Sequence, residues 1–275
     1  MSTFYNKDER IYVYALVSTK EKERFPVIKK LGIDNKHSIS LKEFGQLTAV
    51  VCNLDNHDFS KERIEEYAQD PSWITVKATH HHDVISSLHN SCTVLPLKFC
   101  TIYSNEKSLK DELSQKEENI CRLLSYFKNR EGWNVKIYCD KEKVTNYVNE
   151  NNPLIKETKQ KISEMSPGKQ FLMKKKFDLQ ITQSVYEEIE TLTNKIHEKL
   201  VNSSDQYTPK KIWNKQITGK KEDMVWNGVY LINNGDATKK FKSDVLQIQK
   251  EFEKIGFLLE CTGPWPPYDF SEVKS

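Results

Sequence analysis

An α+β fold in two domains is what this sequence of 275 residues predicts. Two runs, Arg10–Ser18 (RIYVYALVS) and Gln46–Leu54 (QLTAVVCNL), are β-branched and aromatic on both faces, the character of central strands covered on each side. Long stretches elsewhere repeat apolar residues at three- and four-residue steps, the signature of amphipathic helices. The length exceeds what most single cores hold, and Asn129-Arg130-Glu131-Gly132 interrupts the pattern, so the division is placed at 1–130 and 131–275.

The elements follow in order. After the first strand comes a polar stretch with no readable period, then the second strand. Ser60 is an N-cap ahead of a helix from Lys61 to Gln69, and Pro71 opens another that runs to about Asn90. Cys92–Phe99 (CTVLPLKF) reads as extended, with Pro96 favouring a sheet edge or a strand end. Leu109, Leu113, Ile120, Leu123, Leu124 and Phe127 make one stripe on a helix over Ser108–Asn129.

The second block opens with alternation: Trp133, Val135, Ile137 and Cys139 against Asn134, Lys136 and Tyr138, a half-buried strand. A charged helix and a loop at Ser166-Pro167-Gly168 follow. Ile181, Val185, Ile189, Leu192, Ile196 and Leu200 mark a long amphipathic helix. Tyr207–Thr218 and Met224–Ile232 read as two strands around a turn at Thr218-Gly219. A last helix carries Phe241, Val245, Ile248, Phe252 and Ile255, with Gly256 as its C′ residue, and Phe257–Thr262 closes the domain as a strand. The order β-α-β-β-α-β is that of a ferredoxin-like sheet backed by two helices, here with one long helix.

Composition narrows function. Apolar residues make up 37% of the chain and charged ones 29%, which excludes wholesale disorder. The 42 Lys and Arg against 39 Asp and Glu leave +3, with no strong pull towards nucleic acid or an anionic membrane. The amino-terminal residues lack the apolar centre of a secretory signal, and no stretch approaches the ~20 apolar residues of a bilayer span. A soluble, cytoplasmic protein is expected. Six cysteines stand without a CxxC pair, so reduced, buried thiols are expected rather than a zinc module or a disulfide framework.

Three constellations have chemical interest. His80-His81-His82 would have to converge to hold a metal, yet consecutive helical side chains diverge by about 100°. Ser86 stands at i+4 from His82, and His89 lies one heptad on. A metal-dependent enzyme built on His80–His82 is the alternative function; a solvated or interface helix face is the plainer reading. No GxSxG elbow, GxGxxG turn or Walker lysine is present. An RNA-binding ferredoxin-like protein is a further alternative, but no strand has the basic-Gly-aromatic run of an RNP1 strand, and Lys174-Lys175-Lys176 fits a solvated helix face. The strongest local signal is Thr262–Phe270. Its prolines, Pro264, Pro266 and Pro267, fix φ and remove three donors, giving a stiff, polyproline-like rod that carries Trp265, Tyr268 and Phe270. Such a rod either packs on its own domain or presents an aromatic surface to a partner.

At this run the chain resembles a known family. GPWPPYDF (Gly263–Phe270) is similar to tGPWPPYsF, the C-terminal signature of the gas vesicle protein F/L family. In the same order, IYVYALV (Ile11–Val17), LTAVV (Leu47–Val51), VLPLKFCTIY (Val94–Tyr103), GWNVKIY (Gly132–Tyr138), SPGKQFLMKKK (Ser166–Lys176) and WNGVYLI (Trp226–Ile232) resemble its other segments. Cys100 stands where glycine is usual, Gly132 separates Glu131 from Trp133, and His81-His82 replaces a single His before an acidic residue. The chain is read as an L-type member. The resemblance implies a non-enzymatic accessory protein of gas vesicle assembly, without cofactor, of two α+β domains. Its implied partners are the very hydrophobic shell protein, met by the N-terminal domain, and other accessory proteins. Candidate contacts are the edge Val94, Leu95, Pro96, Leu97 and Phe99, and the rod Pro264–Phe270. A shell subunit with an apolar face aggregates in water before assembly, so a partner that covers it has a physical use.

Overall fold

The computed structural model describes residues 9–26 and 28–271. The chain divides into two compact units between Glu131 and Gly132, and the stretch from Trp265 onward groups with the first unit. The second unit is Gly132–Pro264.

In the first unit, β1 (Glu9–Ser18) pairs antiparallel with β3 (Leu47–Asp55), from Glu9↔Asp55 to Ser18↔Leu47, with a bulge between Val13 and Ala15. The sheet order is β2-β3-β1-β4, with β2 Ile39–Phe44 and β4 Val94–Pro96; β5 (Ile102–Tyr103) also pairs with β1. Every residue from Ile11 to Val17 is buried, because both faces of β1 are covered. On one side α2 (Pro71–His89) sets Val84, Ile85 and Leu88 against Tyr12, Tyr14, Val50, Cys52 and Leu54. The alternate residues of β3, Leu47, Ala49 and Val51, are equally buried. That side belongs to α3 (Glu106–Phe127), which touches all five strands and buries Leu109, Leu113, Ile120, Leu124 and Phe127. Ser60 caps the short α1 (Lys61–Tyr67) by accepting from the Arg63 amide. The stretch without a readable period holds a 3-10 turn (Thr19–Arg24) and β2, an end strand with exposed and half-buried residues intermixed.

In the second unit β6 (Arg130–Cys139, entering at Gly132), β7 (Gln206–Pro209), β8 (Asp223–Asn233) and β9 (Phe257–Trp265) form one sheet in the order β7-β8-β6-β9. Trp133, Val135, Ile137 and Cys139 enter a core with Val185, Ile196 and Leu200 of α6 (Pro167–Val201) and Phe241, Ile248 and Phe252 of α8 (Asp236–Phe252). Gly256 follows at φ +116, a conformation L side chains avoid, and a Cβ there would press on the Asp140 carbonyl oxygen at 2.9 Å.

Four expectations are corrected. The single charged helix is two, α4 (Lys141–Asn151) and α5 (Pro153–Ser163), broken where Pro153 cannot continue a helix; Asn152 ends one and caps the other. The loop at Ser166-Pro167-Gly168 is the start of α6, with Pro167 at the first helical position, where a missing N–H has no consequence. The strand over Tyr207–Thr218 stops at Pro209; Asn214 then caps the short α7 (Lys215–Thr218), which Gly219 ends at φ +66. The polyproline-like rod is bent: β9 runs through Pro264 to Trp265, Pro267 has ψ 52, and a 3-10 turn covers Tyr268–Phe270. This tail falls in the compact unit of residues before Gly132, rather than with 131–264.

Candidate partner-binding surface

The site is assembled on α2. Asp70 accepts from the Ser72 amide at 2.9 Å and Pro71 takes the first helical position, which fixes where the helix begins. Two turns on, the three histidines point in three directions, and each meets a different tyrosine. His80 Nε2 lies 3.1 Å from the Tyr14 hydroxyl, His81 Nδ1 2.7 Å from Tyr12, and His82 Nδ1 3.0 Å from Tyr268. The imidazoles therefore do not converge, and among the described residues no group of three or more His, Cys, Asp or Glu is placed to hold a metal.

His81 is the hub. It is 4% exposed, and its Nε2 lies 3.1 Å from the Leu97 carbonyl oxygen, which only accepts. Nε2 therefore carries the proton, and Nδ1 accepts from the Tyr12 hydroxyl. Tyr12 in turn accepts from the Cys100 amide at 3.3 Å. Burial holds His81 neutral, lowering its pKa to about 4, and drives the Tyr12 phenol well above its ordinary value. The result is a satisfied buried chain that ties β1, α2 and the loop after β4 together.

The sequence's two candidate segments both touch α2, at different histidines. The open edge expected over Val94–Phe99 is corrected: the strand covers only Val94–Pro96, and α2 and α3 pack on it. Val94, Leu95 and Pro96 are buried in β4, at the end of the sheet order, opposite Val17, Leu16 and Ala15 of β1. Leu97 donates its amide to the Tyr14 carbonyl at 3.0 Å, and Phe99 stands edge-on to His81 at 5.8 Å between centroids. From the other end of the chain, Tyr268 bonds His82, and the Trp265 ring lies 5.4 Å from it. Ser86, at i+4, faces the far nitrogen of His82 at 3.2 Å. Pro266, Pro267 and Phe270 are buried, Tyr268 is half-buried, and Pro264 is exposed. Trp265 is 38% exposed. The tail is thus packed into the first unit, with Trp265 its most exposed ring.

The tyrosines were missed by sequence reasoning. Tyr12 and His81 are 69 positions apart, and nothing local pairs them. The available signal was a polar count: histidines on the core face of a helix need partners, and Tyr12 and Tyr14 were the polar side chains in the otherwise apolar run Ile11–Val17. Cys100 has φ +64, the left-handed conformation glycine adopts freely, at the position where the resemblance had glycine. Burial pushes the Cys52 and Cys92 thiols up to about 12 and raises Cys100, so these sulfurs stay protonated.

Such a molecule is an α+β protein of two compact units, the first with three tyrosines bonded to successive histidines of α2. The gas vesicle synthesis protein GvpL/GvpF family matches it over residues 10–272, and the chain belongs to that family. Among named relatives, gas vesicle protein L of Streptomyces sp. (strain CB03234) is 21% identical over 85% of this chain and 83% of its own. Gas vesicle protein L1 of Halobacterium salinarum is 23% identical over 94% and 89%. The fold is shared with the crystal structure of GvpF from Anabaena sp. PCC7120, at TM-score 0.69 and 15% identity over 97% of this chain and all of that one. GvpF from Microcystis aeruginosa gives 0.60 and 14%, over 96% and 99%. Among the described residues no helix is long and apolar enough to cross a membrane.

Proposed function

We propose that this accessory protein of the gas vesicle family works in the cytoplasm by binding. On this reading it holds the hydrophobic shell protein, and other accessory gas vesicle proteins, during nucleation or before assembly, and makes or breaks no bond itself. The first unit is the shell-protein contact, and the part-exposed Trp265 is the anchor of its surface. The second unit is a modified ferredoxin-like module: its strand order, β7-β8-β6-β9, puts the first strand of that unit between the third and the fourth. One observation carries the reading of the surface. The tail is fastened through Tyr268, Pro266, Pro267 and Phe270, yet its largest ring, Trp265, remains 38% exposed at the rim. A rigidly held, part-exposed indole loses little entropy on docking and supplies a large apolar contact.

The test uses the full chain, because a fragment ending at residue 130 would lack Tyr268 and Phe270. Trp265→Ala is expected to weaken co-purification with shell protein about tenfold while lowering the melting temperature by only a few degrees, about 5 °C at most, since more than a third of the side chain is already exposed. Undiminished shell-protein capture by Trp265→Ala, with vesicles forming normally in a deletion host carrying it, refutes this placement.

A further inference from the structure

The segment SPGKQFLMKKK is not absorbed by the surface just described. It forms the first turns of α6, and it breaks the usual rule for a helix outside a core. Phe171 is 80% exposed, Leu172 75% and Leu179 63%. The opposite face is occupied: Phe177 and Ile181 pack against the core, and Gln180 reaches Thr158 of α5 at 3.4 Å. At about 100° per residue, Phe171, Lys175, Leu179 and Leu172 fall within an arc of about 100°, with Lys176 just beyond. Three large apolar side chains and a lysine therefore share one outward stripe.

The charge on this stretch has one sign. Between Pro167 and Gln183 there are four lysines, Lys169, Lys174, Lys175 and Lys176, against Asp178. None of the four side chains makes a hydrogen bond or ion pair among the described residues. Elsewhere on the helices of this unit several lysines do have a carboxylate within reach, as Lys161 has Glu157, Lys199 has Glu251 and Lys240 has Asp244. We propose that the outward face of α6 at Phe171, Leu172, Lys175 and Leu179 docks an acidic amphipathic helix of another protein, apolar side chains on the leucines and phenylalanine and carboxylates on Lys175 and Lys176. This surface goes beyond the shell-protein reading and does not depend on it.

Helix recognition reads anchors that recur every three or four residues along one face: Phe171, Lys175 and Leu179 stand at i, i+4 and i+8, and Leu172 and Leu179 at i and i+7. An anionic membrane is the rival. Interfacial helices keep their cations on the face opposite the apolar one. Here Lys175 lies between Phe171 and Leu179, so seating the apolar stripe in lipid would drag an ammonium in with it. A partner carboxylate at that point turns the same placement into a desolvated ion pair that specifies register.

The experiment measures anisotropy of a labelled peptide of about 20 residues with the full-length chain, the peptide being helical, leucine-striped and glutamate-flanked. Binding about tenfold tighter than for a scrambled peptide of the same composition is expected. Leu172→Ser with Leu179→Ser should lose that advantage, and, since both positions are exposed, circular dichroism should not change. Lys175→Glu with Lys176→Glu should weaken the glutamate peptide about tenfold and gain affinity for a lysine-flanked version. Equal binding of striped and scrambled peptides, or none, overturns the proposal. So does retention on phosphatidylserine vesicles that the double serine variant loses while the peptide is ignored, which would assign the face to a membrane. Self-association abolished by the same variant would assign it to a second copy, and likewise overturns it.

Discussion

At the scale of single residues, His81 is the most consequential. Its pKa is lowered to about 4 in the folded chain by burial, against about 6.5 for a free imidazole. The unfolded chain therefore takes up a proton below about pH 6.5 that the native protein refuses. Stability is complete above that pH, declines as pH falls towards 4, and levels off below. The loss from this group is on the order of 3 kcal/mol. Burial lowers His80, His89 and His197 as well, so they add slope of the same sign. Denaturant midpoints at pH 7 and pH 4.5 should differ much less in His81→Asn than in the natural chain; an unchanged difference would show that His81 is not the group titrating. Cys100 offers a second residue-scale prediction. At φ +64 a β-branched side chain is strongly disfavoured and glycine is not. Cys100→Gly is expected to leave stability within about 1 kcal/mol, and Cys100→Val to lower it by about 2 kcal/mol or more. Equal melting curves for the two variants would contradict this.

Among the elements, Asn152 is a corner. It closes α4 by donating its amide to the Val148 carbonyl, and opens α5 by accepting from Leu154 and Ile155 at 3.0 and 3.2 Å. Asn152→Ala is expected to cost about 1 kcal/mol, and Asn152→Asp to retain most of the stability, in thermal melts of the full chain. If alanine melts like the natural residue, the cap contributes nothing. This corner also explains which parts of the fold the sequence could show. Stripes with a period, such as Leu109 to Phe127 on α3 or Phe241 to Phe252 on α8, declare themselves, since burial of one face demands that spacing. Punctuation is ambiguous. Pro153 and Pro167 both start helices, yet a Ser-Pro-Gly run reads equally as a loop, because cap and turn use the same residues. Ile212 and Ile217 lie exposed, so the alternation that read as a strand over Tyr207–Thr218 had no core to serve. As for the site, the tail and the β4 segment stood out by composition. Their contacts with α2 did not, since these depend on long-range packing that sets the histidines of a helix against the tyrosines of β1 and the tail.

For the molecule as a whole, chain order and compact units disagree at one point. Residues from Trp265 onward follow the last strand of the second unit in sequence but group with the first. Tyr268 packs against the first unit's core and bonds His82, and Phe270 is buried. Removing those two anchors, in Tyr268→Ala with Phe270→Ala, should then be felt about 180 residues away along the chain and not nearby. The two losses together are on the order of 4 kcal/mol, allowing for the partial exposure of Tyr268. Native-state hydrogen exchange resolves where that loss falls. Amides of β1 and α2 should lose protection in the double variant, because Tyr12, Tyr14 and the histidine face share the cluster the tail closes. Amides of β6 and α8, in the core built on Trp133, Ile137 and Phe241, should exchange as before. Faster exchange in β6 and β9, with α2 unaffected, would mean that the tail stabilises the unit it follows in sequence, and the clasp on His82 would then be a contact without energetic weight.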